Sequence, residues 1–116
     1  MIFVGYPKCS TSNKAQKWMD DNGKEYEFRH MKDENPSKEE LMEWHKKSGL
    51  PLKKFFNTSG MLYRQMELKD KLPGMTDEEK FELLATDGLL VKRPILVADD
   101  FVLVGFKQAD WEEKLK

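Results

Sequence analysis

Hydrophobic and polar positions in this chain switch between two periods. Ile2, Phe3 and Val4 form an apolar run that ends at Gly5, the pattern of a short buried strand over residues 2–5. From Ser12 to Asn22, Ala15, Trp18, Met19 and Asn22 recur at helical spacing, and Asn22-Gly23 supplies a C-terminal stop. Glu25-Tyr26-Glu27-Phe28-Arg29 then alternates polar and apolar, as a half-buried strand does. Strand, helix and strand in that order predict a crossover helix joining two parallel strands.

A second helix opens at Asn35-Pro36-Ser37. Ser37 and Glu40 have the spacing of a capping box, Leu41, Trp44 and His45 form the apolar face, and Ser48-Gly49-Leu50-Pro51 ends it. Lys53 to Asp70 is less periodic and predicts short helical pieces around Tyr63-Arg64-Gln65-Met66, closed by a turn at Pro73-Gly74. Thr76 and Glu79 make a second capping box ahead of Phe81, Leu83 and Leu84, with Gly88 as the stop. Ile95-Leu96-Val97-Ala98 and Phe101-Val102-Leu103-Val104 flank Asp99-Asp100 and predict a hairpin. A last helix spans about Ala109 to Leu115. The predicted order is βαβ, a helical segment, then ββα.

The 116 residues suit one domain with a single core. No apolar run approaches bilayer length, and Met1-Ile2-Phe3-Val4 is too short for the apolar region of a signal peptide, so the expected location is the cytoplasm without membrane attachment. Lysine and arginine number 20 against 21 acidic residues, interspersed, which argues against direct nucleic-acid binding. The single cysteine rules out a disulfide within the chain and fits a reducing compartment. Any disulfide it forms must be with another molecule.

That cysteine, Cys9, lies between the first strand and the first helix, in Tyr6-Pro7-Lys8-Cys9-Ser10-Thr11-Ser12. A thiol there faces unsatisfied backbone N–H groups and the positive end of the helix dipole, both of which favour the nucleophilic thiolate. The other reading is a buried cysteine acting as a small hydrophobe, against which the polar flanks count. Lys8 and Lys14 either lower the thiol pKa or are solvated lysines at a helix start. His30 and His45, the only histidines, form no cluster with metal-ligand spacing, so no metal is expected. Asp77-Glu78-Glu79 reads as a solvated helix start that suits the dipole.

Four stretches resemble the ArsC/Spx/YffB family of arsenate-reductase-like proteins. They are Pro7 to Ala15, Lys54-Phe55-Phe56-Asn57, Leu90-Val91-Lys92-Arg93-Pro94-Ile95-Leu96-Val97, and Gly105-Phe106-Lys107 with Asp110-Trp111. The resemblance implies an α/β, thioredoxin-like domain over residues 1–116 with a helical insertion at about 36–88. It implies a cis peptide bond at Pro94 and an Arg93 guanidinium aimed at the Cys9 sulfur, where it would stabilise the thiolate and grip an oxyanion. Cys9 and Arg93 are then the catalytic candidates, with Ser10, Thr11, Ser12, Asn57, Pro94 and Lys107 as substrate-binding candidates.

Two departures from the family matter. Family arsenate reductases hold their oxyanion with three arginines. Here Asn57 and Lys107 stand at two of those positions, and neither offers the planar fork of arginine. Spx proteins usually carry a Cys-x-x-Cys switch, whereas Ser12 occupies the second position here. Ser12 either donates a hydrogen bond to the Cys9 thiolate or caps the helix. The expected activity is a monothiol oxidoreductase without bound cofactor, whose reductant is an external thiol such as glutathione, or a glutaredoxin or thioredoxin. The alternative is an Spx-like regulatory module that binds a protein partner of transcription.

Overall fold

The computed structural model describes residues 1–115. Four strands, β1 (Ile2–Gly5), β2 (Glu27–His30), β3 (Ile95–Val97) and β4 (Val102–Val104), form one sheet in the order β2-β1-β3-β4. β1 and β2 are parallel, with Phe3 opposite Phe28, and β3 lies antiparallel on the other side of β1, with Leu96 opposite Phe3. β3 and β4 make the predicted hairpin, closed by the Ala98 N–H donating to Phe101 O at 2.9 Å around Asp99-Asp100. The central position of β1 follows from its sequence, because Phe3 and Val4 are both fully buried and point to opposite faces.

Those faces carry separate cores. On one, Phe3 and Leu96 meet Ala15 and Met19 of α1 (Ser10–Asp21) and Trp111 of α6 (Gln108–Lys114). On the other, Val4, Ile95 and Val102 pack against the insertion, chiefly Leu41, Trp44, Phe55 and Leu84. The insertion runs through α2 (Lys38–Ser48), a 3-10 turn (Leu52–Phe55), α3 (Met61–Gln65), α4 (Leu68–Lys71), a 3-10 turn (Leu72–Gly74), α5 (Asp77–Thr86) and a last 3-10 turn (Gly88–Leu90). The architecture is the predicted thioredoxin-like βαβ plus ββα frame with helices between its units.

Both capping boxes form. Glu40 N–H donates to Ser37 Oγ while Ser37 N–H donates to Glu40 Oε1, and Thr76 and Glu79 repeat the exchange. Gly49 ends α2 with φ +68°, and Gly23 follows α1 with φ +67°. Among the boundaries that differ from the sequence pattern, three have a local cause. α1 starts at Ser10 rather than Ser12, because Cys9 itself takes the N-cap position. β2 starts at Glu27, opposite Ile2, while Tyr26 instead packs on Phe3 and donates its hydroxyl to Asp20 at 2.7 Å. Gly88 does not cap α5, which ends at Thr86 before an extended Asp87 whose carboxylate accepts from the Leu89 N–H. Gly88 is required for another reason: a Cβ there would lie 1.9 Å from Met31 O.

Arg29 fastens the insertion to the sheet. Its guanidinium donates to both oxygens of Glu40, one at 2.8 Å, and to the Glu34 and Asn35 carbonyls, and it lies 5.7 Å from the Trp44 ring. Those Arg29 hydrogen bonds outweigh burial and pull the Glu40 carboxyl down to about 2. Its folded pKa is depressed, so the pair's contribution is present above the ordinary glutamate range and is lost as pH falls toward about 2. Glu40→Gln keeps a capping acceptor and removes the charge. It is expected to cost about 1–2 kcal/mol at pH ~7, a figure discounted for solvent screening of the exposed carboxylate. In urea titrations at stepped pH the gap to the parent should shrink with acidification, and a gap that stayed constant would contradict the pairing.

Candidate active site

The turn between β1 and α1 is built around one buried hydroxyl. Ser12 is 1% exposed, and its Oγ accepts the Tyr6 N–H at 3.0 Å. Cys9 N–H donates to Tyr6 O at 2.9 Å, and Asn13 Nδ2 donates to Pro7 O at 2.8 Å. Gly5 has no substitute here, because a Cβ would come 2.5 Å from Ser12 Oγ and 2.6 Å from the Phe3 ring. The chain therefore leaves the sheet, doubles back through Pro7 and Lys8, and enters the helix with Cys9 held at the N-cap in extended geometry (φ −102°, ψ 120°).

Cys9 is half-buried. Burial pushes its thiol up. The Ser12 N–H, the Arg93 guanidinium through hydrogen bonding and charge, and the Thr11 N–H together more than offset this, so the thiol titrates below its ordinary range. The two N–H groups fall short of a formal cap bond on the sulfur, but they point their positive ends at it. Arg93 comes from the segment before β3, where its peptide bond to Pro94 is cis, and its Cζ rests 5.0 Å from the Tyr6 ring centroid. Its Nε and Nη1 are buried, with no hydrogen-bond partner among the described residues. A guanidinium beside the sulfur, with two donors enclosed and unpartnered, favours negative charge at this position.

The structure thus gathers Cys9, Thr11, Ser12 and Arg93 around one sulfur. Ser12 serves neither of the roles read from the sequence: its hydroxyl accepts the Tyr6 N–H, and its backbone N–H faces the sulfur. Ser10 is exposed on the first turn, and Pro94 is buried, its carbonyl accepting the Gly105 N–H at 2.8 Å. Asn57 is engaged elsewhere. Its amide approaches the Leu89 carbonyl at 3.5 Å and packs against Gly60, and its N–H donates to Leu90 O. Neither Lys8 nor Lys14, both exposed, is among the groups that lower the Cys9 pKa. His30 packs edge-on against Tyr6, and its Nδ1 accepts the Lys32 and Asp33 N–H groups.

Lys107 is the N-cap of α6 and borders an open groove of about 810 Å³ that Thr11 also lines. Residues between Ser48 and Thr58, all of β4 and several residues of α6 line this groove. Sequence reasoning missed its remaining lysines, Lys53, Lys54, Lys92 and Lys114. The Lys53-Lys54 pair was the available signal. Tyr6, which supports Arg93, was also missed, since nothing in its local pattern distinguishes it from a strand-end aromatic.

The ArsC family model matches residues 4–114 of this chain. An uncharacterised Bacillus subtilis protein, YusI, is 52% identical over 113 residues, covering 97% of this chain and 96% of its own. An ArsC family related protein from Bacteroides fragilis has a crystal structure that superposes with a TM-score of 0.96 at 56% identity, covering 99% of this chain and 96% of that one. The regulatory protein MgsR of Bacillus subtilis is 26% identical over 110 residues, 95% of this chain and 86% of its own.

Two substitutions test the geometry. Arg93→Ala should move the midpoint of Cys9 alkylation by iodoacetamide to higher pH, with Arg93→Lys recovering part of the shift; an unmoved midpoint would remove Arg93 from the site. Ser12→Ala should leave the buried Tyr6 N–H without an acceptor and lower stability by about 1–3 kcal/mol in urea unfolding.

Proposed function

Because the chain belongs to the ArsC family, we propose that it is a monothiol oxidoreductase whose nucleophile is Cys9. The observation that carries this reading is the pairing of the activated thiol with Arg93, whose Nε and Nη1 are buried without a hydrogen-bond partner among the described residues. In the first step the Cys9 thiolate attacks one sulfur of a disulfide. The new bond joins Cys9 to that sulfur, the old bond breaks, and the second sulfur leaves as a thiolate. In the second step an external thiolate, such as that of glutathione, attacks the Cys9 mixed disulfide and returns Cys9 as a thiolate. The disulfide formed joins the external thiol to the sulfur that Cys9 took up; where the substrate is a mixed disulfide with glutathione and Cys9 takes the glutathione sulfur, the net products are the substrate thiol and glutathione disulfide.

The chain's own residues supply the electrostatics. The Ser12 and Thr11 N–H groups and Arg93 favour thiolate on Cys9, so the same groups make Cys9 a good leaving group in the second step. No second cysteine exists to resolve the mixed disulfide internally, which is why an external thiol or a redoxin is required. Arsenate as oxidant is the less favoured version. Of the three positions that the family's arginines occupy, only Arg93 keeps a guanidinium here, and Asn57 is turned to the Leu89 carbonyl.

The likeness to MgsR supports a second reading, a regulatory module acting through a protein partner. A thiol switch within the chain is not part of it, since the residue three places after Cys9 is a serine whose hydroxyl holds the turn.

Incubation with glutathione disulfide, followed by mass spectrometry, separates these readings. The expected result is a glutathione adduct on Cys9 that forms faster as pH rises through the lowered thiol range, is released by excess glutathione and is absent in Cys9→Ser. Arsenate-dependent thiol turnover should be slow by comparison. A Cys9 that forms no adduct would sink the oxidoreductase reading in favour of the regulatory one.

A further inference from the structure

The register of the parallel strand pair sets the last residue of β2 beside the turn that carries the thiol. Gly5 lies opposite His30, and the Met31 N–H donates to Gly5 O at 2.8 Å, so the chain leaves β1 at Tyr6 next to the end of β2. Tyr6 is tied at two backbone points. Its N–H donates to Ser12 Oγ at 3.0 Å, and its carbonyl accepts the Cys9 N–H at 2.9 Å. Its side chain is held by neighbours from two other parts of the sheet. The ring stands perpendicular to the His30 imidazole, with 5.5 Å between centroids and 89° between planes, and the Arg93 Cζ lies over it at 5.0 Å. A perpendicular aromatic pair and a cation over a ring face are both attractive, and both depend on where the ring sits.

Arg93 needs that ring because little else fixes its head. Among the described residues no carboxylate lies within ion-pair distance of it, and its buried Nε and Nη1 have no hydrogen-bond partner. What it has is the hydrogen bond and charge it shares with Cys9 and the face of the Tyr6 ring. His30, in turn, is locked from its own side. Its Nδ1 accepts the Lys32 and Asp33 N–H groups at 3.2 and 3.1 Å, and its side chain is 26% exposed. Two donors on Nδ1 leave the hydrogen of the neutral ring on Nε2 and set the direction of the ring. The Asp33 carboxylate, 3.8 Å from Nδ1, stays outside hydrogen-bond distance.

We propose that His30 is a positioning residue for the thiol: braced by its own turn, it holds the Tyr6 ring, and the ring holds the Arg93 guanidinium at the Cys9 sulfur. The proposal deepens the oxidoreductase reading, on which its catalytic meaning rests. His30 is not among the groups that act on Cys9 directly, so its effect passes through Tyr6 and Arg93. A guanidinium stabilises a thiolate only while it is kept at hydrogen-bond distance and aimed at the sulfur, and an unbraced ring would let it drift.

The test reads the Cys9 thiolate itself, as the pH midpoint of alkylation by iodoacetamide, with folding checked by thermal unfolding. His30→Asn keeps an acceptor for the Lys32 and Asp33 N–H groups, as asparagine provides in turns, and removes the ring. It should raise the midpoint and slow alkylation below it by about threefold; His30→Gln takes its place if that variant does not fold. Tyr6→Leu should act in the same direction and more strongly, whereas Tyr6→Phe, which keeps the ring, should stay near the parent. With Arg93→Ala already in place, neither His30→Asn nor Tyr6→Leu should move the midpoint further. An unmoved midpoint in a folded His30 variant, or an equal shift in the absence of Arg93, would overturn the proposal. Alkylation needs no disulfide, so the two readings fail separately. A Cys9 inert to glutathione disulfide would defeat the oxidoreductase reading whatever the midpoints show, and a reactive Cys9 with an unmoved His30→Asn midpoint would defeat the positioning role alone.

Discussion

The hydrogen bond from the Tyr6 N–H to the buried Ser12 hydroxyl is the constraint on which the site depends. It pins the end of the central strand to the first turn of α1 across six residues, and Gly5 permits the approach by having no side chain. With that closure in place, Cys9 has only one position available, at the N-cap, with the Ser12 and Thr11 N–H groups turned to its sulfur. The same closure fixes the start of the Tyr6 side chain, whose ring carries the Arg93 guanidinium. In this fold Ser12 acts as scaffold, and its backbone does the electrostatic work.

Arg93 shows the complementary principle. A guanidinium is costly to enclose, and two of its nitrogens are enclosed here with no hydrogen bond returned. The neighbouring thiolate and the Tyr6 ring offset part of that cost through charge and cation–π attraction. Enclosing these donors beside the sulfur concentrates the positive charge that favours the Cys9 thiolate.

The helical insertion has a structural part and a surface part. Its apolar side completes the second core, and Arg29, Glu40 and Trp44 bind its first helix to the edge strand β2. Its segment 55–57 runs beside 90–92, with the Lys92 N–H donating to Phe55 O at 2.8 Å, and so steadies the approach to Arg93. The chain before that segment, with α6 opposite, walls the lysine-rimmed groove along β4. A chain that is almost neutral in composition thereby gathers five lysines around one groove.

Much of this was legible along the chain, and for local reasons. The capping boxes at Ser37 and Thr76, the left-handed stop at Gly49, the hairpin at Asp99-Asp100 and the thiol before α1 all arise from interactions within a few residues, which one stretch of sequence specifies. The single cysteine by itself determined that any disulfide must be with another molecule. Other features rest on residues distant in sequence. Gly88 looked like a helix stop and is glycine because the Met31 carbonyl passes beside it. Asn57 matched a ligand position in the family pattern, yet its amide turns to Leu89. Five lysines scattered from Lys53 to Lys114 carry no pattern until the insertion, β4 and α6 bring them to one rim. Short-range hydrogen bonding is encoded where it acts, whereas long-range packing and summed charge exist only once the chain has closed on itself, and those decided what surrounds the thiol.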